Sequence, residues 1–279
     1  MPKKTMHYSV LMSVYKKEEP DFLRRSMQSI YDQTVPTDDF VLICDGELTE
    51  ALDGVVEEMQ KKFGKRLNVI RRDKNHGLGA TLALGVEKCK NDIVARMDSD
   101  DVSRKDRCEK ELNILNGSGG ISVVGSFVAE FEESPEKLKS IRKVPEKHGD
   151  ILKFARFRSP INHPSVMFKK QDVLAVGGYQ AVRYCQDYYL WEKMLANGYK
   201  FYNVQDTLVY MHENSSTFKR RSGRQYFIIQ KRLFKQMKAD GLIAFPQYCA
   251  VVTARFFSTF SPNWLRKVIF TRFMREKIH

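Results

Sequence analysis

The stretch IVARMDSDDVS, residues 93–103, places three carboxylates, Asp98, Asp100 and Asp101, within four positions at the end of an apolar run. Residues 93–97 read as a strand, so the acids fall at its tip. Carboxylates crowded at one strand end suit a hard divalent cation. Mg2+ and Mn2+ take oxygen ligands, and Mg2+ is commonly held by one or two carboxylates together with substrate phosphates. The D-x-D spacing lets alternate carboxylates approach one ion while the backbone turns. The alternative is a helix N-terminus within SDDVSRKDRCEKELNIL, because Asp and Ser favour caps and first turns. A cap accounts for one acid well and for three poorly.

The elements that must hold this tip are legible along the chain. YSVLMSVY (Tyr8–Tyr15) is a buried strand, and PDFLRRSMQSIYDQT carries Phe22, Leu23, Met27, Ile30 and Tyr31 at helical spacing. DFVLICDG (Asp39–Gly46) is a second strand ending in an acid. TEALDGVVEEMQKKFG is a helix with Leu52, Val55, Val56, Met59 and Phe63 on one face. LNVIRRD (Leu67–Asp73) is a third strand, LGATLALGVEKCK a third helix, and DIVARMD the fourth strand. Strands alternating with helices through short loops predict an α/β fold, with a mostly parallel sheet flanked by helices. Ligands of such sheets bind beyond the carboxyl ends of the strands, where Tyr15, Asp45, Asp73 and Asp98 fall.

The chain has 279 residues, 42% of them hydrophobic, which suits one large domain or a domain with an appendage. Its net charge of +13 is uneven: residues 219–279 hold 14 Lys and Arg against 2 Asp and Glu, and the rest is nearly balanced. Such asymmetry speaks of partners rather than fold. The apolar run in MPKKTMHYSVLMSVY is too short for a signal peptide and soon meets Lys16, Lys17, Glu18 and Glu19. No uncharged run has the length of a transmembrane helix. The five cysteines are scattered without a CxxC pair, so reduced thiols in a cytosolic protein are expected.

In order, the segments SVLMSVYKKEEPDFLRRSMQSIYDQT, FVLICDGELTEALDGVV, VIRRDKNHGLGATLALGVEKCKNDIVARMDSDDVS, NHPSVMFKKQDVLAVGGY and CQDYYLWEKMLANGYKFYNVQDTLVYMHENSS resemble glycosyltransferases of family 2, which have the GT-A fold. The closest resemblance is to the subgroup that makes bacterial capsular polysaccharides and exopolysaccharides. The ordered series is specific where any one segment is weak, and it covers roughly positions 7 to 217. The resemblance implies a GT-A catalytic domain over residues 1–218. Its nucleotide-sugar half is about 1–103 and its acceptor half about 104–218, and residues 219–279 form a basic amphipathic helical extension.

It also implies roles. Ser13, Val14, Tyr15 and Glu18 would wall the nucleotide pocket, and Asp45 would accept a hydrogen bond from the uracil of a UDP-sugar; a turn residue before Gly46 is the alternative. Asn75 and Gly79, in NHGLG, would let the backbone approach the nucleotide closely. Asp98 and Ser99 would lie near the ribose and sugar. Asp100 would hold Mn2+ or Mg2+, with Asp101 as a second candidate and His212 as a late ligand of the same ion. Asp187, in CQDYYLWEKML, would be the general base of a single inverting displacement; serving as a helix N-cap is its alternative. Family members usually carry Glu where this chain has Gln186, which puts that residue's acceptor contacts in question. RSPINHPSVMF would return to a strand on the acceptor side, where His163 faces the acceptor or is a hydrogen-bonded core histidine. VGGY would give a turn whose Tyr179 stacks on a sugar.

Residues 117–148 read as a mixed insert with ISVVGSFVAEF as its strand, and EESPEKLKSIRKVPEKHGD reads as a solvated surface. In the tail, Lys and Arg mix with Phe, Tyr, Ile and Leu at helical spacing. That pattern fits an anionic membrane surface and a lipid-linked glycan acceptor, at the cytoplasmic face of the plasma membrane. Helices packing back on the catalytic domain are the alternative, and no nucleic-acid motif is present. Two other functions fit the sequence less well. A sugar-nucleotide pyrophosphorylase should carry a glycine-rich basic loop after its first strand, and SVYKKEEP has no glycine. An inactive membrane scaffold should have lost some of Asp45, Asp98, Asp100, Asp187 and His212.

Overall fold

The computed structural model describes residues 7–117, 119–213, 223–261 and 276–277. Four apolar runs form the centre of one sheet. Strands β1 (Ser9–Val14), β2 (Asp39–Cys44), β3 (Leu67–Arg71) and β4 (Ile93–Asp98) lie parallel in the spatial order β3-β2-β1-β4. Both faces of such strands are covered by helices, which is why they read as unbroken apolar runs. The register levels their carboxyl ends: Val14 pairs with Cys44, and Ser13 with Asp98.

The other half of the sheet is mixed. It contains β5 (Val102–Ser103), β6 (Ile121–Phe131), β7 (Leu138–Arg142), β8 (Met167–Lys169), β9 (Lys200–His212) and β10 (Glu276–Lys277). Strand β8 runs antiparallel between β4 and β6, and β7 and β10 extend the sheet beyond β6. Strand β9 follows β6 in parallel and pairs with the short β5. This last pairing carries the end of β9 to the acidic tip of β4.

Helices α1 (Pro20–Tyr31), α2 (Glu50–Phe63) and α4 (Arg107–Leu115) bury their apolar faces on one side of the sheet. Helices α3 (Leu78–Lys88), α5 (His148–Ala155), α6 (Lys170–Ala175) and α7 (Gln186–Ala196) cover the other. Helix α2 starts where the Thr49 hydroxyl accepts the Leu52 amide at 3.3 Å, and it stops at Gly64 in the left-handed region. Helix α4 is fixed by a fully buried ion pair, Arg107 to Glu111 at 3.1 Å. Arg107 also donates to the Arg96 carbonyl of β4 at 2.8 Å.

One alternative falls and two expectations change. No helix begins at the acids: β4 ends at Asp98, β5 follows, and α4 starts only at Arg107. The 132–150 segment is not merely solvated surface. Its centre is β7, whose buried Ser140 donates to the buried carboxylate of Glu130. Strand β7 is paired with β6 on one side and β10 on the other, and the charges lie before and after it in the chain. RSPINHPSVMF becomes a strand only at β8, after a 3-10 turn at His163–Ser165, because Pro160 and Pro164 have no N–H to give a ladder.

Helices α8 (Arg224–Ala239) and α9 (Phe245–Phe260) form an antiparallel pair. Leu233, Phe234, Met237, Ile243 and Val251 bury together around Tyr188 of α7. The Tyr189 hydroxyl donates to the Ile229 carbonyl at 3.0 Å. The apolar face of this pair thus packs back on α7, while Lys231, Arg232, Lys235 and Lys238 are exposed. Among the described residues, no helix is long and apolar enough to cross a membrane.

Glu192 of α7 is fully buried at this junction, and burial, then the nearby Asp240, pushes its carboxyl up to about 8. A carboxyl whose folded pKa lies above its ordinary 4.5 favours the folded state below pH 4.5 and loses that contribution as pH rises toward 8. Glu192→Gln should therefore melt with the wild type at pH 5 and several degrees above it at pH 9. Thermal melts at both pH values check this; parallel pH profiles would contradict it.

Candidate active site

The register of β1, β2 and β4 sets the tip residues side by side. One carboxylate oxygen from each of Asp98, Asp100 and Asp101 lies within 4.8 Å of the others. Asp98 is the most firmly held. Two residues before it on β4, and so on the same face, the fully buried Arg96 grips both Asp98 oxygens with its guanidinium fork. The Ser26 hydroxyl of α1 donates to the Asp98 carbonyl at 2.7 Å, and Ser99 donates to Glu18. Burial, then Asp100, raises the Glu18 carboxyl, while the Ser99 hydrogen bond opposes the rise.

Asp101 is 1% exposed. Burial, then Asp100 and Asp98, drives its carboxyl well above the usual range. The His212 amide donates to its Oδ1 at 2.8 Å, and its Oδ2 is buried with no hydrogen-bond partner. His212 arrives at the end of β9, with Nδ1 3.5 Å from Asp100 Oδ2 and likewise unpartnered. Its ring is clamped by Phe22 at 4.4 Å and Phe131 at 5.6 Å. Two orphaned buried acceptors beside two further carboxylates form an oxygen and imidazole donor set that fits Mg2+ or Mn2+.

At the end of β2, Asp45 is buried and closes a loop. Its oxygens accept the amides of His76 at 3.0 Å and Gly77 at 2.9 Å, and the Asn75 side chain donates to its carbonyl. Arg72, 3.6 Å from Asp45 and donating to Thr81, balances the charge. Gly46, in the left-handed region at φ +92, lies against the Asn75 amide. Tyr15 stands 40% exposed at the end of β1. The close approach at Gly79 is to protein: a Cβ there would sit 2.1 Å from the Gln180 carbonyl. The first turn of α3 therefore leans on the loop leading to α7.

Asp187 lies in the first turn of α7, but the cap position belongs to Cys185, which takes left-handed φ +58. A non-glycine residue there is strained by about 1–3 kcal/mol, and such strain clusters at functional sites. Gln186 is the first helical residue. Tyr179 does not present a ring to a sugar. It is 3% exposed, packed between Phe168 and Trp191, with its hydroxyl 2.9 Å from His163 Nε2. Its phenol is raised by burial, which Arg96 opposes. His163 takes the structural alternative: burial, then Arg96, holds its pKa well below the usual value, and Trp191 meets its ring edge-on.

Sequence reading missed Arg96 and Arg72. Each left a signal, since a charge inside or just after an apolar strand needs a partner. Asp98 lies two residues from Arg96, and Asp45 ends the strand beside that of Arg72.

A family model described as glycosyl transferase family 2 matches residues 9–176. The chain is 36% identical to UDP-Gal:alpha-D-GlcNAc-diphosphoundecaprenol beta-1,3-galactosyltransferase of Escherichia coli, over 98% of each chain. It is 33% identical to the amylovoran biosynthesis glycosyltransferase AmsE of Erwinia amylovora, over 88% of this chain and 92% of that one. Among solved structures it is similar to TarS 1-349 of S. aureus in complex with UDP-GlcNAc. The TM-score is 0.69, with 16% identity, over 96% of this chain and 76% of that one. It is also similar to the mannosyltransferase PcManGT of Pyrobaculum calidifontis in complex with GDP-Man and Mn2+. There the TM-score is 0.63, with 15% identity, over 97% of this chain and 80% of that one.

The contact at Gly79 can be tested directly. Gly79→Ala must push the Gln180 backbone away, at a cost of about 1–3 kcal/mol typical of overpacking. Chemical denaturation should show that loss; a variant as stable as the wild type would contradict the close approach.

Proposed function

The chain belongs to glycosyl transferase family 2, as an enzyme with the GT-A fold, and on that premise we propose that it transfers a sugar from UDP to a hydroxyl of a lipid-diphosphate-linked glycan, inverting the anomeric centre. The observation that carries this is the meeting of Asp98, Asp100, Asp101 and His212 at the carboxyl edge of the parallel strands. Support for a UDP-sugar and a lipid-linked acceptor comes from the names of the Escherichia coli relative and the TarS complex. Support for Mn2+ comes from the PcManGT complex and the two orphaned donors.

In this reading residues 1–218 are the catalytic domain and 219–279 its extension. Ser13, Val14, Tyr15 and Glu18 line the nucleotide, with Asp45 and the Asn75–Gly79 loop beneath the base. Asp98 and Ser99 orient the ribose and sugar, and Asp100, Asp101 and His212 hold the cation. A bound divalent cation neutralises charge on the leaving diphosphate. The acceptor oxygen attacks the anomeric carbon from the face opposite UDP. Its bond to carbon forms as the bond from carbon to the diphosphate oxygen breaks, and Asp187 takes the hydroxyl proton. One base is enough for one in-line displacement, unlike the paired carboxylates of glycosidases. Gln186 and His163 lie on the acceptor side, His163 from beneath. The extension rests on the cytoplasmic face of the plasma membrane, bound to its anionic surface.

Two substitutions separate the roles. Asp187→Asn should lower transfer about 100- to 10,000-fold, the range for losing a general base. It should leave UDP affinity within about twofold, or about 0.4 kcal/mol; equal loss of both would overturn the assignment. Asp100→Ala should weaken Mn2+-dependent UDP binding by about tenfold or more, at least about 1.4 kcal/mol. Unchanged metal dependence in a calorimetric titration would contradict its role.

A further inference from the structure

The α8–α9 hairpin hides one apolar face on α7 and shows another. Phe256, Phe257 and Phe260, in the last turns of α9, are 47%, 65% and 50% exposed. Large apolar side chains grouped on a surface mark an interaction site. The group is continuous with the catalytic domain. Arg255 donates to the Phe157 carbonyl at 2.5 Å, and Phe157, just after α5, is itself 52% exposed.

The position of the patch is specific. Phe227, at the start of α8, meets Phe256 at 5.6 Å and Phe260 at 5.8 Å. Its neighbours Gln225 and Tyr226 touch the loop that leads into α7: Arg183 donates to Gln225 at 3.3 Å, and the Tyr184 and Tyr226 rings lie 5.6 Å apart. That loop ends at the strained Cys185 and the first turn bearing Asp187. The exposed phenylalanines therefore sit at the Asp187 end of the hairpin.

The charge of the hairpin and of the tail sequence selects the occupant. Residues 219–279 carry 14 Lys and Arg against 2 Asp and Glu. Arg224, Lys231, Arg232, Lys235 and Lys238 of α8 are exposed. Phenylalanines at the acyl boundary with cations at the headgroups describe a helix lying in an anionic bilayer surface. We propose that Phe256, Phe257 and Phe260, with Phe157, insert into the anionic bilayer and hold the Asp187 end of the enzyme at the membrane, so that an acceptor anchored in that bilayer meets the base from the lipid side. The catalytic half of this statement rests on the reading of Asp187 above, and the insertion half deepens the reading of the extension as membrane-bound.

The test uses the full chain and vesicles with neither donor nor acceptor. Wild type should co-sediment with phosphatidylglycerol vesicles at least tenfold more tightly than with phosphatidylcholine. Phe256→Ser/Phe257→Ser should lose at least tenfold of that binding with an unchanged melting temperature. Phe257→Trp should retain it and be quenched by acyl-brominated lipid, while Leu174→Trp, on α6, should not. With a vesicle-embedded diphosphate-lipid acceptor, the serine variant should raise the apparent KM, and transfer to a short-chain soluble acceptor should be unchanged. No vesicle binding by the wild type, or equal binding of both lipids, overturns insertion. So does a serine variant that melts lower while binding vesicles normally, which would mean that other protein covers the patch. A dimer dispersed by Phe257→Ser would assign the face to a second copy and overturn it as well. If vesicles bind as predicted but no sugar is transferred, the catalytic reading fails and the insertion stands.

Discussion

Three carboxylates cannot share one strand tip without nearby positive charge, and the carboxyl edge of this sheet is organised around that constraint. Two unit charges 4.8 Å apart repel by about 3.5 kcal/mol at an effective dielectric constant of about 20. The chain answers Asp98 with the Arg96 fork and Asp101 with the His212 backbone amide. Both answers depend on distant elements. Arg96 is anchored through its carbonyl to Arg107 of α4, and His212 reaches the tip because β5 pairs with β9. What remains unanswered is a buried carboxylate oxygen and a buried imidazole nitrogen beside it. A divalent cation would complete that arrangement, and a diphosphate would supply its further ligands, since Mg2+ and Mn2+ readily take phosphate oxygens.

The two sides of the site are mechanically joined. The first turn of α3, just after the loop tied by Asp45, meets the loop before α7 at Gly79 and Gln180, where only a hydrogen fits. Beneath them, Arg96 grips Asp98, and His163 and Tyr179 are hydrogen-bonded to each other and packed against Trp191 of α7. Helix α7 in turn is the floor on which α8 and α9 rest. The orientation of the hairpin is therefore tied to the orientation of the helix that carries the proposed base.

The parallel half of the fold was legible because strands buried on both faces leave unbroken apolar runs with turn residues between them. The acids were legible because they crowd one such run's end, and the structure adds that no helix begins there. The mixed half was harder to read. Strand β7 lies toward the outside of the sheet among charges that hide a short alternating pattern, and β8 is three residues long. Tyr179 was misplaced because sequence marks an aromatic after a glycine turn without saying which way it faces; here Phe168, Trp191 and His163 enclose it. The tail took the packing alternative on one face, which rests on α7, while another face carries exposed phenylalanines. Helical periodicity alone cannot assign two apolar faces to two neighbours.

The most direct measurement is a calorimetric titration of the full chain with UDP, GDP and dTDP, each with Mn2+ and again with a chelator. The account predicts that UDP binds with Mn2+, that chelation abolishes the binding, and that the other two nucleotides bind at least tenfold more weakly. Binding that ignores the metal, or no binding of any nucleotide, would contradict a cation-held UDP-sugar at the tip of β4.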